Sequence, residues 1–140
     1  MTSDDNLDDQ LLAELRESFM VESREILERL SLLLVNLEHE ARPEWVNAAF
    51  RETHTLKGVA GFIGLSAIER LARKMEAVFG AVRAGNIGVS QELIAASRQG
   101  VTVLADLRAD AQAGRSAETD LAALLARLDA VIAGASSGAT

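Results

Sequence analysis

Between about Asp8 and Glu40 the apolar residues Leu12, Leu15, Phe19, Ile26, Leu30, Leu33 and Leu37 recur three and four places apart, with one interruption at Glu22 or Ser23. That spacing lines one face of an α-helix and does not fit a β-strand, whose side chains alternate with a period of two. The stretch therefore reads as one long amphipathic helix, with Asp8 and Asp9 where negative charge suits a helix N-terminus. Composition points the same way: 49% of the residues are apolar but only 4% aromatic, with no tyrosine, a single proline and many alanines and leucines. Such a mixture favours helix over strand.

The single proline ends the first helix. Proline disfavours helical geometry in the residue before it and is well tolerated at the start of a new helix, so Arg42-Pro43 marks a boundary. A second helix is expected from about Pro43 to Phe62, burying Val46, Ala49, Phe50, Leu56, Ala60 and Ile63. Gly64-Leu65 makes a short turn, and Ser66 with Glu69 three places on reads as a capping box opening a third helix. That helix buries Ile68, Leu71, Ala72, Met75, Val78, Phe79 and Val82 and stops near Gly85. A fourth runs from near Ser90 through Leu93, Ile94, Val101, Leu104 and Leu107 to about Ala113. A fifth, from about Ser116 or Thr119, carries Leu121, Leu124, Leu125, Leu128 and Ile132. The expected fold is all-α, an antiparallel four-helix bundle with an additional C-terminal helix.

At 140 residues the chain has room for one core, here residues 1–133, with the small residues 134–140 reading as a flexible tail or the start of an interdomain linker. Without cysteine there is neither a disulfide framework nor a thiolate metal site. A formal charge of −7, from 14 basic and 21 acidic residues, argues against a nucleic-acid partner, which needs a basic face. Nearly apolar runs such as Leu30 to Val35 are far below the ~20 residues of a membrane span. With aspartates rather than a basic signal region at the N-terminus, a cytoplasmic location is expected and no membrane insertion.

Within the second helix His54, Lys57, Gly58 and Gly61 fall at i, i+3, i+4 and i+7, so an imidazole, an ammonium and two bare backbone positions share one flank. Each helical glycine costs roughly 0.8–1.0 kcal/mol relative to alanine. Either the missing side chains admit a partner to the ring, or they admit a neighbouring helix and His54 is incidental. On a wheel of 100° per residue His54 lies roughly 120° from the centre of the buried arc, bordering the core without entering it.

If the second and third helices are antiparallel about Leu65, residues equally distant from it are level. His54 and Glu76 are each eleven residues away, about 16 Å along the helices, and Lys57 and Arg73 are each eight away. One imidazole, one carboxylate and two cations are thus expected at one place. A carboxylate accepting from Nδ1 would fix the tautomer and leave Nε2 free to attack, the chemistry of a phosphate-accepting histidine. Lys57 and Arg73 would offset phosphoryl charge. Other chemistries fit worse. Neither Arg51 nor Asn36, three places before His54 and His39, supplies the Glu-x-x-His of a di-iron bundle, and no metal site is expected. The glycines lack the Lys-Ser/Thr of a phosphate loop. With no triad or nucleotide cradle, the chain reads as a substrate of kinases rather than a kinase.

The run from Phe50 to Leu65, with Thr-His-Thr-Leu-Lys-Gly at its centre and Gly-Phe-Ile-Gly-Leu at its end, closely resembles the histidine phosphotransfer (HPt) domain of chemotaxis-type histidine kinases, the CheA class. Phe19 to Leu27 is similar to that family's first helix and Lys74-Met75-Glu76 to its third-helix glutamate region. The resemblance implies that His54 is phosphorylated, that Lys57 and Gly58 support it and that Glu76 orients the imidazole. It implies as partners an ATP-binding kinase domain, which would supply ATP and Mg, and a CheY-like response regulator receiving the phosphoryl group on an aspartate. This domain itself would need no cofactor. The family often has histidine where this chain has Arg73. A free-standing HPt protein of a multistep phosphorelay and a non-catalytic helical scaffold are the alternatives, the Ser/Gly-containing tail favouring a piece of a larger kinase.

Overall fold

The computed structural model of the chain describes residues 3–116 and 120–137. Five helices follow one another: α1 (Ser3–His39), α2 (Pro43–Phe62), α3 (Ser66–Arg83), α4 (Gln91–Gln112) and α5 (Ala122–Ser137). There is no strand among the described residues. α1 packs on α2 and α4, and α3 on the same two, so four helices close a ring around one core; α5 lies against α3 and α4. Polar links between α1 and α4 show the antiparallel sense. Arg108 donates to the Met20 carbonyl and to the Ser23 hydroxyl, whereas Arg98 donates to Glu38 at 2.8 Å. Numbers rise along one helix as they fall along the other.

The core residues follow the expected stripes with shifts that have physical causes. α1 is 37 residues long against 20 for α2 and 22 for α4, so its first turns run past its neighbours. Leu12, expected in the core, is therefore 37% exposed, and Leu7 and Leu11 more so. Burial begins in earnest at Phe19 and continues through Ile26, Leu27, Leu30, Leu34 and Leu37, with Leu33 only partly covered. Ser23, the break in the stripe, is buried and takes the Arg108 hydrogen bond at 2.9 Å. Thr53 is a buried polar residue that the apolar pattern passes over; its hydroxyl donates back to the Ala49 and Phe50 carbonyls, each at 3.0 Å, and so enters the core satisfied.

The helix ends are mostly as the turn chemistry dictates. Gly64 (φ 82°) and Gly85 (φ 79°) take the left-handed conformation that closes α2 and α3, with Leu65 N–H bonding the Ala60 carbonyl and Asn86 N–H that of Ala81. Ser90 caps α4, accepting from the Leu93 amide at 3.0 Å. The capping box expected at Ser66 and Glu69 is not formed: the cap residue is Leu65, without a side-chain bond, and Glu69 turns to Arg73. α5 begins at Ala122, where the Asp120 carboxylate accepts the Ala122 amide, and not at Ser116; Thr119 lies outside the described residues. The tail expected from Gly134 is helical as far as Ser137, and 138–140 lie outside the described residues.

Candidate functional site

The α2–α3 hairpin brings together the pair that equal distance from Leu65 predicts. The His54 Nδ1 meets the Glu76 Oε2 in a short contact, and Lys57 Nζ donates to the other carboxylate oxygen, Oε1, at 2.8 Å. The His54 side chain is 63% exposed, while Glu76 and Lys57 are 14% and 25% exposed. The His54 ring thus stands in solvent on a half-sheltered ionic base. Burial pushes the Glu76 carboxyl up, but the hydrogen bonds from Lys57 and His54 outweigh it and hold its pKa below the ordinary carboxylate value. Glu76 is therefore anionic near neutral pH and only accepts. Nδ1 must carry the hydrogen, and in the neutral ring the lone pair sits on Nε2.

The two glycines of this flank differ. A methyl group on Gly58 would meet nothing within 4 Å, so the space beside the ring is open. One on Gly61 would lie 3.2 Å from Cγ of Glu69, so Gly61 gives room to a side chain of α3. The second cation expected at the site is engaged elsewhere on its own helix. Arg73, level with Lys57, pairs with Glu69 one turn back, an i,i+4 contact. His39, the other histidine, is exposed at the end of α1.

Phe50, assigned from the sequence to the core, is only partly buried and belongs to the site. Its ring stacks on His54, with centroids 6.2 Å apart and planes 11° from parallel. Arg83 lies over the Phe50 ring at 4.2 Å from the centroid. An open pocket of about 470 Å³ runs between Phe50, His54, Thr55, Glu76, Ala77 and Gly80. The spacing Phe50-x-x-x-His54, one turn on one face, carried a signal for this contact; nothing local announced Arg83. Among the described residues no group of three or more His, Cys, Asp or Glu side chains could hold a metal ion.

The sequence profile of the Hpt domain family matches residues 14–134, nearly the whole bundle. The chain belongs to the Hpt domain family. This Hpt domain is 33% identical over 123 residues to the chemotaxis protein CheA of Cereibacter sphaeroides, covering 82% of the chain and 18% of that protein. It is 35% identical over 102 residues to the chemotaxis protein CheA of Rhizobium meliloti, covering 72% of the chain and 14% of that protein. The chain thus spans less than a fifth of the length of these relatives. Among solved structures it is similar to the phosphorylated P1 domain of CheA3 in complex with CheY6 from R. sphaeroides. That match has a TM-score of 0.77 at 26% identity, over 86% of this chain and 96% of the other. The Hpt helical bundle is therefore shared in sequence and in fold. No helix is long and apolar enough to cross a membrane among the described residues.

Proposed function

We propose that this Hpt domain is the phosphoryl carrier of a chemotaxis-type histidine kinase and that His54 is the carrying residue. The observation behind the reading is the paired geometry at one ring: Nδ1 bound to Glu76, and the ring exposed beside the open flank of Gly58. Nε2 attacks the γ-phosphorus of ATP held with Mg by a kinase domain; the N–P bond forms, the P–O bond to ADP breaks, and Glu76 stabilises the imidazolium through Nδ1–H. In the second step an aspartate oxygen of a CheY-like receiver attacks phosphorus. The N–P bond breaks and its electron pair returns to Nε2. Lys57, beside the ring and paired with the same carboxylate, offsets charge as the phosphoryl group arrives.

The described residues supply a nucleophile and its orientation but, among them, no nucleotide cradle, so the ATP chemistry is assigned to the partner domain. Likeness to CheA proteins, and to a P1 domain solved with CheY6, supports the choice of both partners. It also supports a cytoplasmic setting, where ATP and receiver domains are found. Incubation with [γ-³²P]ATP and a CheA-type kinase domain should label the chain, with acid-labile and comparatively base-stable phosphate. His54→Gln should abolish labelling while His39→Gln leaves it intact. Full incorporation in His54→Gln would sink the assignment, and an unlabelled wild-type chain would favour the scaffold reading.

A further inference from the structure

Apart from its own Cβ–Cγ bond the imidazole is held by one hydrogen bond, and since a carboxylate accepts over a broad range of directions the ring can still rock as χ1 and χ2 shift together. His54 is mostly exposed, so core packing does not supply the missing restraint. The direction of the Nε2 lone pair, which lies in the ring plane, needs a second holder. Phe50, one turn earlier on α2, faces the imidazole within the 4.5–7 Å range of favourable aromatic pairs and nearly parallel to it, with 6.2 Å between centroids. Phe50 is itself held. Gly80 of α3 lets it lie against the helix, since a methyl there would stand 3.3 Å from Phe50 Cε2. The Arg83 guanidinium covers its ring at 4.2 Å. Glu76, Gly80 and Arg83 follow at i, i+4 and i+7 on α3, so one stripe of that helix carries all three supports.

Resting on the carrier reading above, we infer that Phe50 is a positioning residue for phosphoryl transfer: seated on Gly80 and covered by Arg83, it sets the plane of the His54 ring and so the aim of Nε2. Glu76 selects the tautomer, and Phe50 selects the orientation. In-line displacement is sensitive to such aim, because misplacement of a reacting atom by about 1 Å can cost about a hundredfold.

Three variants separate this role from packing and from partner docking: Phe50→Leu keeps an apolar side chain without the flat ring, Phe50→Tyr keeps the ring, and Arg83→Met removes the cover. Each is assayed for kcat and KM of phosphorylation by a CheA-type kinase domain, for its urea midpoint, and by NMR of the His54 ring. Phe50→Leu should lower kcat about tenfold at unchanged KM. Its His54 ring-proton signals should move as the neighbouring ring current disappears, with the Nδ1–H tautomer retained. Phe50→Tyr should stay within about twofold of the wild type, and Arg83→Met should lose about threefold in kcat. Wild-type kcat in Phe50→Leu would overturn the inference, as would equal losses in the Leu and Tyr variants. A raised KM at constant kcat would make Phe50 a docking contact instead. Should Phe50→Leu fail to fold, Arg83→Met decides, and wild-type kcat there overturns the inference. Failure of the carrier reading shows separately, as an unlabelled wild-type chain, and takes this inference with it.

Discussion

Gly58→Ala should move stability and activity in opposite directions. Gly58 lies inside α2, where alanine is favoured over glycine by about 0.8–1.0 kcal/mol, partly through the lower entropy of the unfolded chain. No packing penalty offsets that gain, because the added methyl would meet nothing within 4 Å. At about 2.1 cal/mol/K of unfolding entropy per residue, a chain of 140 residues should gain about 3 °C in Tm. The same methyl would stand one turn from His54, in the open space that the proposed kinase and receiver partners would cross. Transfer should slow about tenfold. Thermal and urea melts give the first quantity, and initial rates of label transfer from ATP and on to a receiver give the second. A destabilised variant with a normal rate would show that Gly58 serves packing; a stabilised one with a normal rate would show that the flank is not the route of approach.

Glu76→Gln should slow phosphorylation about tenfold or more and reduce the Nδ1–H tautomer population of His54, read from imidazole ¹⁵N shifts, because an amide oxygen accepts less strongly than a carboxylate; unchanged shifts and rate would mean that the contact is not made in solution. The folded-state pKa of Glu76 is lowered, so its contribution to stability is fully present above the unfolded-state carboxylate pKa and is lost as pH falls through the lower folded value. Plotted against pH, the urea midpoint of the wild type should accordingly fall more steeply below about pH 4.5 than that of Glu76→Gln, and parallel acid limbs would contradict the ionic account. Gly100→Ala should behave oppositely to Gly58→Ala: its methyl would lie 2.7 Å from Sδ of the fully buried Met75, and an overpacking cost of about 1–3 kcal/mol outweighs the helix gain, for a net loss of about 1 kcal/mol in chemical denaturation. Arg73→Ala should leave transfer within about twofold, since Arg73 is engaged by Glu69; a tenfold loss would restore it to the phosphate site.

What could be read from the sequence was whatever depends on helical period and on distance along the chain. Five helices followed from the spacing of apolar residues, and the meeting of His54 with Glu76 followed from their equal separation from the Leu65 turn. What could not be read depends on which neighbour wins a side chain. Arg73 is level with Lys57, yet its guanidinium pairs with a carboxylate one turn away on its own helix. Glu69 stood in the right place for a capping box and was taken by that same arginine. Helix overhang was equally hidden: Leu12 continues the stripe of α1, yet nothing in its own segment says that α4 stops short of covering it. Glycine was the least transparent residue. Gly58 opens onto solvent, Gly61 and Gly80 accommodate side chains across α2 and α3, and Gly100 admits the Met75 thioether.

The two oxygens of Glu76 are divided between residues three apart on the facing helix, Oε2 to His54 and Oε1 to Lys57. A carboxylate held at both ends acts as a pin through the hairpin. If α2 slid past α3 by a single residue, about 1.5 Å, the imidazole, with only two side-chain torsions, would lose its oxygen even where the long lysine could follow. The His54 ring is therefore held by Glu76 only while the two helices keep one register, and on the carrier reading any opening that frees them disarms it before the bundle as a whole gives way. Slow hydrogen exchange along α2 and α3 and competence for transfer should consequently be lost together, as two readings of a single mechanical joint.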